Sequence, residues 1–419
     1  MRKFLIIVLA LLSTGALRAQ EKEESKFGVK LSGFVKNDFF WDSRQTVAAR
    51  EGHFLLWPSA VVEDEQGEDI NAKANFNFLA IQSRLSAKLS GPDAFGAKTS
   101  GLIEGDFFAQ SNVNVNLFRL RHAFVKLNWE HLEVMAGQYW NPLFITSCFP
   151  GTVSFNTGTP LQSFARNPQI RVTYQLGRVS LMAAALAQRD YATWGPLGPS
   201  SNYLRNSAVP DLHAQIHFGT TNESGMNILA GAGAAYKNIV PRLSSTPAPG
   251  ETYKVDEKVG GFTAMAFAKL STDPVTAKLQ VRYGENITDL LGISGFAATE
   301  ITDPVSGERT YAPLRSMTFW GEVHTNSNPQ IGIFGGFTSN NGTKESILAT
   351  VPVYGLGNTI RSLYRIAPRI IYNAGKVRVA MELEYTSAAY GSNYDEFYIP
   401  AETTNANNMR VLAAIYYFF

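Results

Sequence analysis

Every second residue of segment 409–419 is apolar: Met409, Val411, Ala413, Ile415, Tyr417 and Phe419. The opposite face carries Arg410, Leu412, Ala414, Tyr416 and Phe418, beginning charged and ending aromatic. A repeat of two residues is that of a β-strand, whose side chains alternate between faces. A strand that stops on an aromatic, with no polar tail after it, predicts an edge that cannot stay open in water. Closing the sheet on itself removes the edge, and an outward aromatic near one rim is what a barrel in a bilayer requires. The competing reading is the buried edge strand of a soluble protein.

The other end of the chain weighs against that reading. Residues 1–19 have the organisation of a secretory leader, with Arg2 and Lys3 ahead of an unbroken apolar run at 4–12. Small residues then lead to an expected cut after Ala19, with Ala16 as the alternative because Leu17 fits the small-residue rule poorly. The apolar run is too short to cross a bilayer as a helix, and no later stretch is long and apolar enough. Gln20 rather than Cys follows the cut, which argues against a lipid anchor. An exported chain of this kind enters a membrane only as a barrel, so 20–419 is expected to form one transmembrane domain.

Composition agrees with many half-apolar strands better than with a solid core. The 419 residues are 45% apolar and 12% aromatic, yet mean hydropathy is close to zero. The formal charge of +2 includes Arg2, Lys3 and Arg18 of the leader. Without these, 34 of the 37 basic residues face 35 acidic ones, which argues against a nucleic-acid partner. A lone Cys148 rules out an intrachain disulfide, so stability must come from backbone pairing.

Alternating segments of about ten residues recur along the chain, separated in turn by short turns and long polar loops. The pattern predicts strands at 27–42, 73–89, 97–110, 118–130, 132–141, 169–175, 179–188 and 212–218. It continues at 226–237, 260–270, 276–286, 315–325, 331–339, 360–373, 376–385 and 409–419. The expected fold is therefore all-β: an antiparallel transmembrane barrel of about sixteen strands, with short periplasmic turns and long external loops. A barrel of that size keeps an aqueous lumen.

Several strands set cations against apolar residues. Arg361, Arg365 and Arg369 share one face, about 13 Å apart at each step, while Tyr364, Ile366, Ile370 and Tyr372 share the other. Arg171 alternates with Ile170, Val172 and Tyr174; Lys278, Gln280 and Arg282 with Leu279, Val281 and Tyr283; Arg378 with Val379. A charge facing lipid near midplane costs about 2–4 kcal/mol, so these groups must point inward. An inward set of arginines predicts a positive field that favours anions. The bland alternative is that Glu104, Asp106, Glu322, Glu382 and Glu384 pair with them and cancel the field.

Segment 142–167 is long, polar and nonetheless carries Phe144, Phe149, Phe155 and Phe164. A loop with its own aromatics is expected to fold onto something, here into the lumen, bringing Arg166 to a constriction. An external loop packed on its neighbours is the alternative. The acidic run Glu63–Glu65 with Glu68 and Asp69 reads as a solvated face before it reads as a cation site near lipopolysaccharide. His213 and His217 lie about 13 Å apart along a strand, too far to share a metal. The small residues 231–235 offer either a flat face for a second barrel or simple packing room. No nucleophile elbow, zinc motif or phosphate loop is present, and neither cofactor nor metal is expected.

The run Arg119-Leu-Arg-His-Ala-Phe-Val-Lys126, with Ala136-Gly-Gln-Tyr-Trp140 and Pro142, resembles the trimeric Gram-negative porins, most closely the DcaP-like family. Gly33-Phe-Val-Lys-Asn-Asp-Phe-Phe40 is similar to that family's first strand. These motifs cover the first third of the chain. The resemblance implies a homotrimer of sixteen-stranded outer-membrane barrels passing small anions, often dicarboxylates. It also implies contact with outer-membrane lipid and lipopolysaccharide and with the barrel-assembly machinery. Arg119, Arg121 and the loop beginning at Pro142 are the pore-rim groups it implies. The coiled coil found at the N-terminus of some family members is missing from this sequence, so trimer contacts would fall on the barrel walls. An outer-membrane barrel enzyme of the phospholipase kind, or a closed structural barrel, stands as the alternative function.

Overall fold

The computed structural model describes residues 27–223 and 225–419. The expected leader and the charged tail after it lie outside the described residues. Sixteen antiparallel strands close into one barrel. They are β1 (Gly28–Asp42), β2 (Asn75–Leu79 and Arg84–Ser90), β3 (Lys98–Asp106), β4 (Arg119–Asn128), β5 (Leu132–Trp140), β6 (Arg166–Leu176), β7 (Val179–Leu186) and β8 (Asp211–Thr221). The second half comprises β9 (Asn227–Ile239), β10 (Val259–Ser271), β11 (Val275–Glu285), β12 (Arg315–Thr325), β13 (Gln330–Asn340), β14 (Ile360–Ala374), β15 (Val377–Tyr394) and β16 (Pro400–Phe418).

Alternation decides which way each side chain points. On β16 Val411, Ile415 and Tyr417 are exposed, whereas Arg410, Leu412 and Ala414 are buried. On β14 Tyr364, Ile366, Ile370 and Tyr372 face out, and Leu363, Arg365, Ala367, Arg369 and Ile371 face in. The outside is thus an apolar band suited to hydrocarbon, and the polar groups gather within. The seam is formed by β1 and β16, paired from Phe34 with Phe418 to Asp42 with Arg410. Gly33 and Phe419 exchange both backbone hydrogen bonds, at 3.3 and 3.2 Å. A Cβ at Gly33 would lie 2.2 Å from the Arg84 carbonyl oxygen and 2.7 Å from the Phe419 ring, so the seam needs glycine there.

The largest departures from the strands expected from sequence are three. The second strand is interrupted at 80–83, and both pieces pair with β1. The last hairpin is much longer than 376–385 and 409–419, because β15 and β16 stay paired up to Tyr394 and Pro400. Its distal part, with Thr403, Thr404 and Asn405, lies beyond the apolar band, where neither face must be apolar and alternation disappears. The expected loop at 43–71 contains a hairpin of its own, Thr46–Ala49 paired with Phe54–Pro58.

The long loops fold over and into one end of the barrel. The 46–58 hairpin, the 141–165 segment and the turn Thr288–Leu290 pack Phe54, Trp57, Phe155, Phe164, Leu290 and Leu291 into one buried cluster with wall residues Trp320, Phe334 and Leu363. A second cluster caps the same end. It joins Tyr203 and Leu204 of the short helix α1 (Asn202–Asn206) to Phe296 and Tyr311 of a small three-stranded sheet.

Candidate functional site

Loop 141–165 crosses the barrel interior, and the wall receives it with carboxylates. Glu382 on β15 accepts the backbone N–H of Val153 at 2.7 Å and that of Ser154 at 3.1 Å. Its neighbour Glu384 accepts the Asn156 side-chain amide at 2.9 Å, and Glu322 on β12 accepts the Gly151 N–H. Wall cations bind the loop's carbonyls. Arg365 Nη1 donates to Thr159 O at 2.7 Å, Lys36 Nζ to Val153 O at 3.1 Å, and Lys278 Nζ to Phe149 O at 3.0 Å. The strand β6 begins at Arg166 and β5 ends at Trp140, so the loop ends two residues before, and starts one residue before, the 142–167 segment expected from sequence.

Between this loop and the short-turn end lies a cavity of about 900 Å³. Phe149–Val153 of the loop form its roof, and Asn326, Ser327, Asn328 and Asn373 lie at the short-turn rim. Arg84, Arg121, Lys278, Arg369 and Arg378 line it, against a single carboxylate, Glu104. Other carboxylates lie behind the lining and are held there. Lys278 and Arg369 share Glu322, each at 3.0 Å. Arg84, Arg121, Arg119 and Arg166 share Glu104, Asp106 and Asp190. Arg378 donates to Asn373 Oδ1 at 2.8 Å and lies over the Tyr416 and Phe418 rings, with no carboxylate in ion-pair range among the described residues. The cations lining the cavity outnumber the carboxylates lining it.

The nine arginines singled out from sequence fall into groups. Arg121, Arg369 and Arg378 line the cavity. Arg119 and Arg166 lie among the buried groups of the long-loop side, both bound to Asp190. Burial works against ionising Asp190, yet the Arg166 and Arg119 guanidiniums hold its carboxyl below the usual carboxylate range. Arg171 bonds Trp140 O at 2.8 Å and Gln169 at 3.0 Å. Arg282 is sealed under the loop, donating to Ser163 Oγ, to Pro160 O at 3.3 Å and to Thr318 at 3.2 Å. Arg365 is fully buried, with Glu384 at 3.3 Å.

Arg361 does not continue the Arg365–Arg369 ladder. A register shift between Ile360 and Ser362 makes it an extra residue, and its guanidinium caps Asn340 O. A bulge also explains a surprise on β4. His122 pairs with Glu104 and Leu120 with Gly105, so Arg121 is extra, and the neighbours Arg121 and His122 both reach the cavity.

Sequence reasoning passed over Arg84 and gave Lys278 only a place on an inward face. Arg84 stands at the restart of the interrupted strand, where Gln82 and Ser83 hide the alternation. Inward glycines of 231–235 make room for lumen side chains: a Cβ at Gly231 would meet the Phe267 ring, and one at Gly233 would meet Gln215. Within the acidic run, Asp64 Oδ1 accepts the N–H groups of Gln66 and Glu68, which lower its pKa as they build a turn.

Neither a protein-family profile nor a curated protein matches the chain. Solved structures do share its fold. The crystal structure of the outer membrane channel DcaP of Acinetobacter baumannii superposes with a TM-score of 0.67 at 18% identity, covering 96% of this chain and all of that one. The anion-selective porin from Comamonas acidovorans superposes at 0.54 with 10% identity, over 94% of this chain and 100% of its own. The trimer form of OmpT, an outer membrane protein of Vibrio cholerae, gives 0.52 with 11% identity, again over 94% and 100%. Identities this low speak to the fold: a sixteen-stranded transmembrane barrel of the porin type.

Proposed function

We propose that this protein is an outer-membrane porin, a passive diffusion channel for small hydrophilic solutes with a preference for anions such as dicarboxylates. The observation that carries the reading is the cavity lining, five cations against one carboxylate. An anion entering it exchanges part of its hydration for charge-assisted contacts, and the guanidinium fork suits both oxygens of a carboxylate. Arg378 and Arg84 retain donor capacity toward the chamber, while Glu382 and Glu384 are committed to the loop. Loop 141–165 sets the constriction by dividing the lumen. Transport without chemistry is the activity this arrangement supports, with no cofactor.

Export by the 1–19 leader and insertion by the barrel-assembly machinery complete the reading, with outer-membrane lipid and lipopolysaccharide around the wall. Three barrels associate through their walls, a reading supported by the trimer form of the Vibrio cholerae structure.

The test is the reversal potential of the purified protein in a planar bilayer under a KCl gradient. A chloride-selective value is expected. A cation-selective channel would overturn the anion preference, and a protein that forms no channel would overturn the function.

A further inference from the structure

The cavity is separated from the long-loop end by packed aromatic side chains. Phe54 at the 46–58 hairpin lies with its ring centroid 5.3 Å from Phe155 and 5.1 Å from Phe164. Phe108, from the loop after β3, stacks on Phe155 at 3.9 Å. His53 fits edge-on against Phe108 at 5.0 Å. The residues Phe54, Phe108, Phe155 and Phe164 are all at least 95% buried, and the cluster runs on into Trp320, Phe334, Ile360 and Leu363 of the wall. An ion at this level would trade water for hydrocarbon, which is far costlier than any contact offered there. Hydrophobic constrictions close pores in this way, by excluding water.

The hairpin is attached differently from the 141–165 loop. Its β partner is itself, and neither of its strands joins the barrel ladder. At its turn Arg50 donates to Phe108 O at 3.2 Å and Ala109 O at 3.1 Å, and Asn77 of β2 donates to Glu51 O at 3.1 Å. The rest of it is pinned through its own carbonyls. Arg410 Nη2 donates to Gly52 O at 2.7 Å, Arg365 Nη2 to Leu56 O at 2.6 Å, and the Tyr390 hydroxyl to Pro58 O at 2.8 Å. One side-chain pair joins it to β1, His53 Nε2 with Asp38 at 2.8 Å. Both arginines have a second use on the wall: Arg410 holds Asp42 and Arg365 holds Glu384, so they stay partnered when the carbonyls leave. A two-stranded unit with a buried apolar second strand, held to its surroundings by side-chain hydrogen bonds rather than by a ladder, can move as one body.

We propose that the 46–58 hairpin is a movable closure. Seated as described, it seals the lumen against the long-loop end; withdrawn, it opens a path past Asp38, Arg365 and Arg410 to the cationic cavity. The inference rests on the channel reading above and adds the part that moves.

Single-channel recording of the full chain tests it, with two variants. In one, residues 48–55 are replaced by a glycine–serine link; in the other, Phe54→Ser keeps the hairpin and removes the ring that packs on Phe155 and Phe164. Heat-modifiable migration on a gel establishes that each barrel is folded. The wild-type protein is expected to dwell in a low-conductance state, and both variants to stay open with a severalfold higher mean current. Equal mean current and equal open probability in all three would overturn the closure while leaving the channel reading intact. Folded barrels of all three that never conduct would overturn the channel reading, and the closure with it.

Discussion

Glu382 accepts the backbone N–H of Val153 at 2.7 Å, tying the wall of the barrel to the loop that crosses it. The same carboxylate also receives Ser154, so one side chain satisfies two buried amides. Hydrogen bonds to a charged partner contribute about 1.5–3 kcal/mol each, and an orphaned buried amide costs a similar amount. Glu382→Ala should therefore release the loop, giving larger and noisier single-channel currents. Glu382→Gln, which keeps one acceptor oxygen, should fall between the two. Unchanged current in Glu382→Ala would mean the loop does not set the constriction.

Two arginines that look alike in sequence should behave differently. Arg378 faces the cavity without a carboxylate, whereas Arg282 is sealed beneath the loop. Arg378→Ala should move the reversal potential toward the potassium value with little effect on barrel stability. Arg282→Ala should leave selectivity nearly unchanged but loosen the loop, since it strands the groups around Ser163 and Pro160 at a cost of about 1–3 kcal/mol. Reversal potentials and thermal gel shifts, measured on both proteins, check the contrast.

The hairpin should also respond to acid. His53 Nε2–H donates to Asp38, while Nδ1 has no partner. Burial holds the His53 pKa below its usual value; Asp38 opposes this, and Lys36 and Arg410 reinforce it. Arg50 is the cation on the hairpin itself, and Asp42 is the carboxylate bound to Arg410. Protonation would place a new N–H on Nδ1 with nothing to accept it. A histidine whose pKa is lowered in the seated state stabilises that state above its free pKa of about 6.5, and the contribution is lost as pH falls below that value. Open probability should rise on acidification through this range and lose that dependence in His53→Gln.

The seam offers a stability test. Arg410 Nη2 lies 2.6 Å from Asp42 Oδ2 across β1 and β16, with both side chains buried. Arg410→Ala leaves a buried carboxylate without its cation, which typically costs about 3–5 kcal/mol. The temperature at which the barrel loses its compact gel form should drop. Replacing both partners, with Asp42→Leu and Arg410→Met, should recover part of the loss.

Hydrocarbon made the walls readable. Every second residue of β14 or β16 must be apolar where it meets lipid, so direction followed from parity alone. Parity fails where the chain slips, and that is where reading stopped. The extra residues Arg121 and Arg361 each reset the count, one sending His122 inside and the other taking Arg361 off the ladder. Neighbours were harder still. Nothing in the spacing of Glu382 and Glu384 distinguishes pairing with arginines from holding loop amides, and the structure uses Glu384 for both. The hairpin at 46–58 had a signal, the apolar runs Val47–Ala49 and Phe54–Trp57 on either side of the polar turn 50–53.

The cavity of about 900 Å³ lies on one side of the crossing loop only, and its cations lie there with it. Charges act over about 8 Å at physiological salt, so their influence is confined largely to that half of the passage. On the proposed channel reading, one direction of applied voltage would fill the chamber with chloride and the other would empty it. The cavity is electrically lopsided, and the proposed channel, once open, would act as a leaky diode whose current depends on which way it is driven.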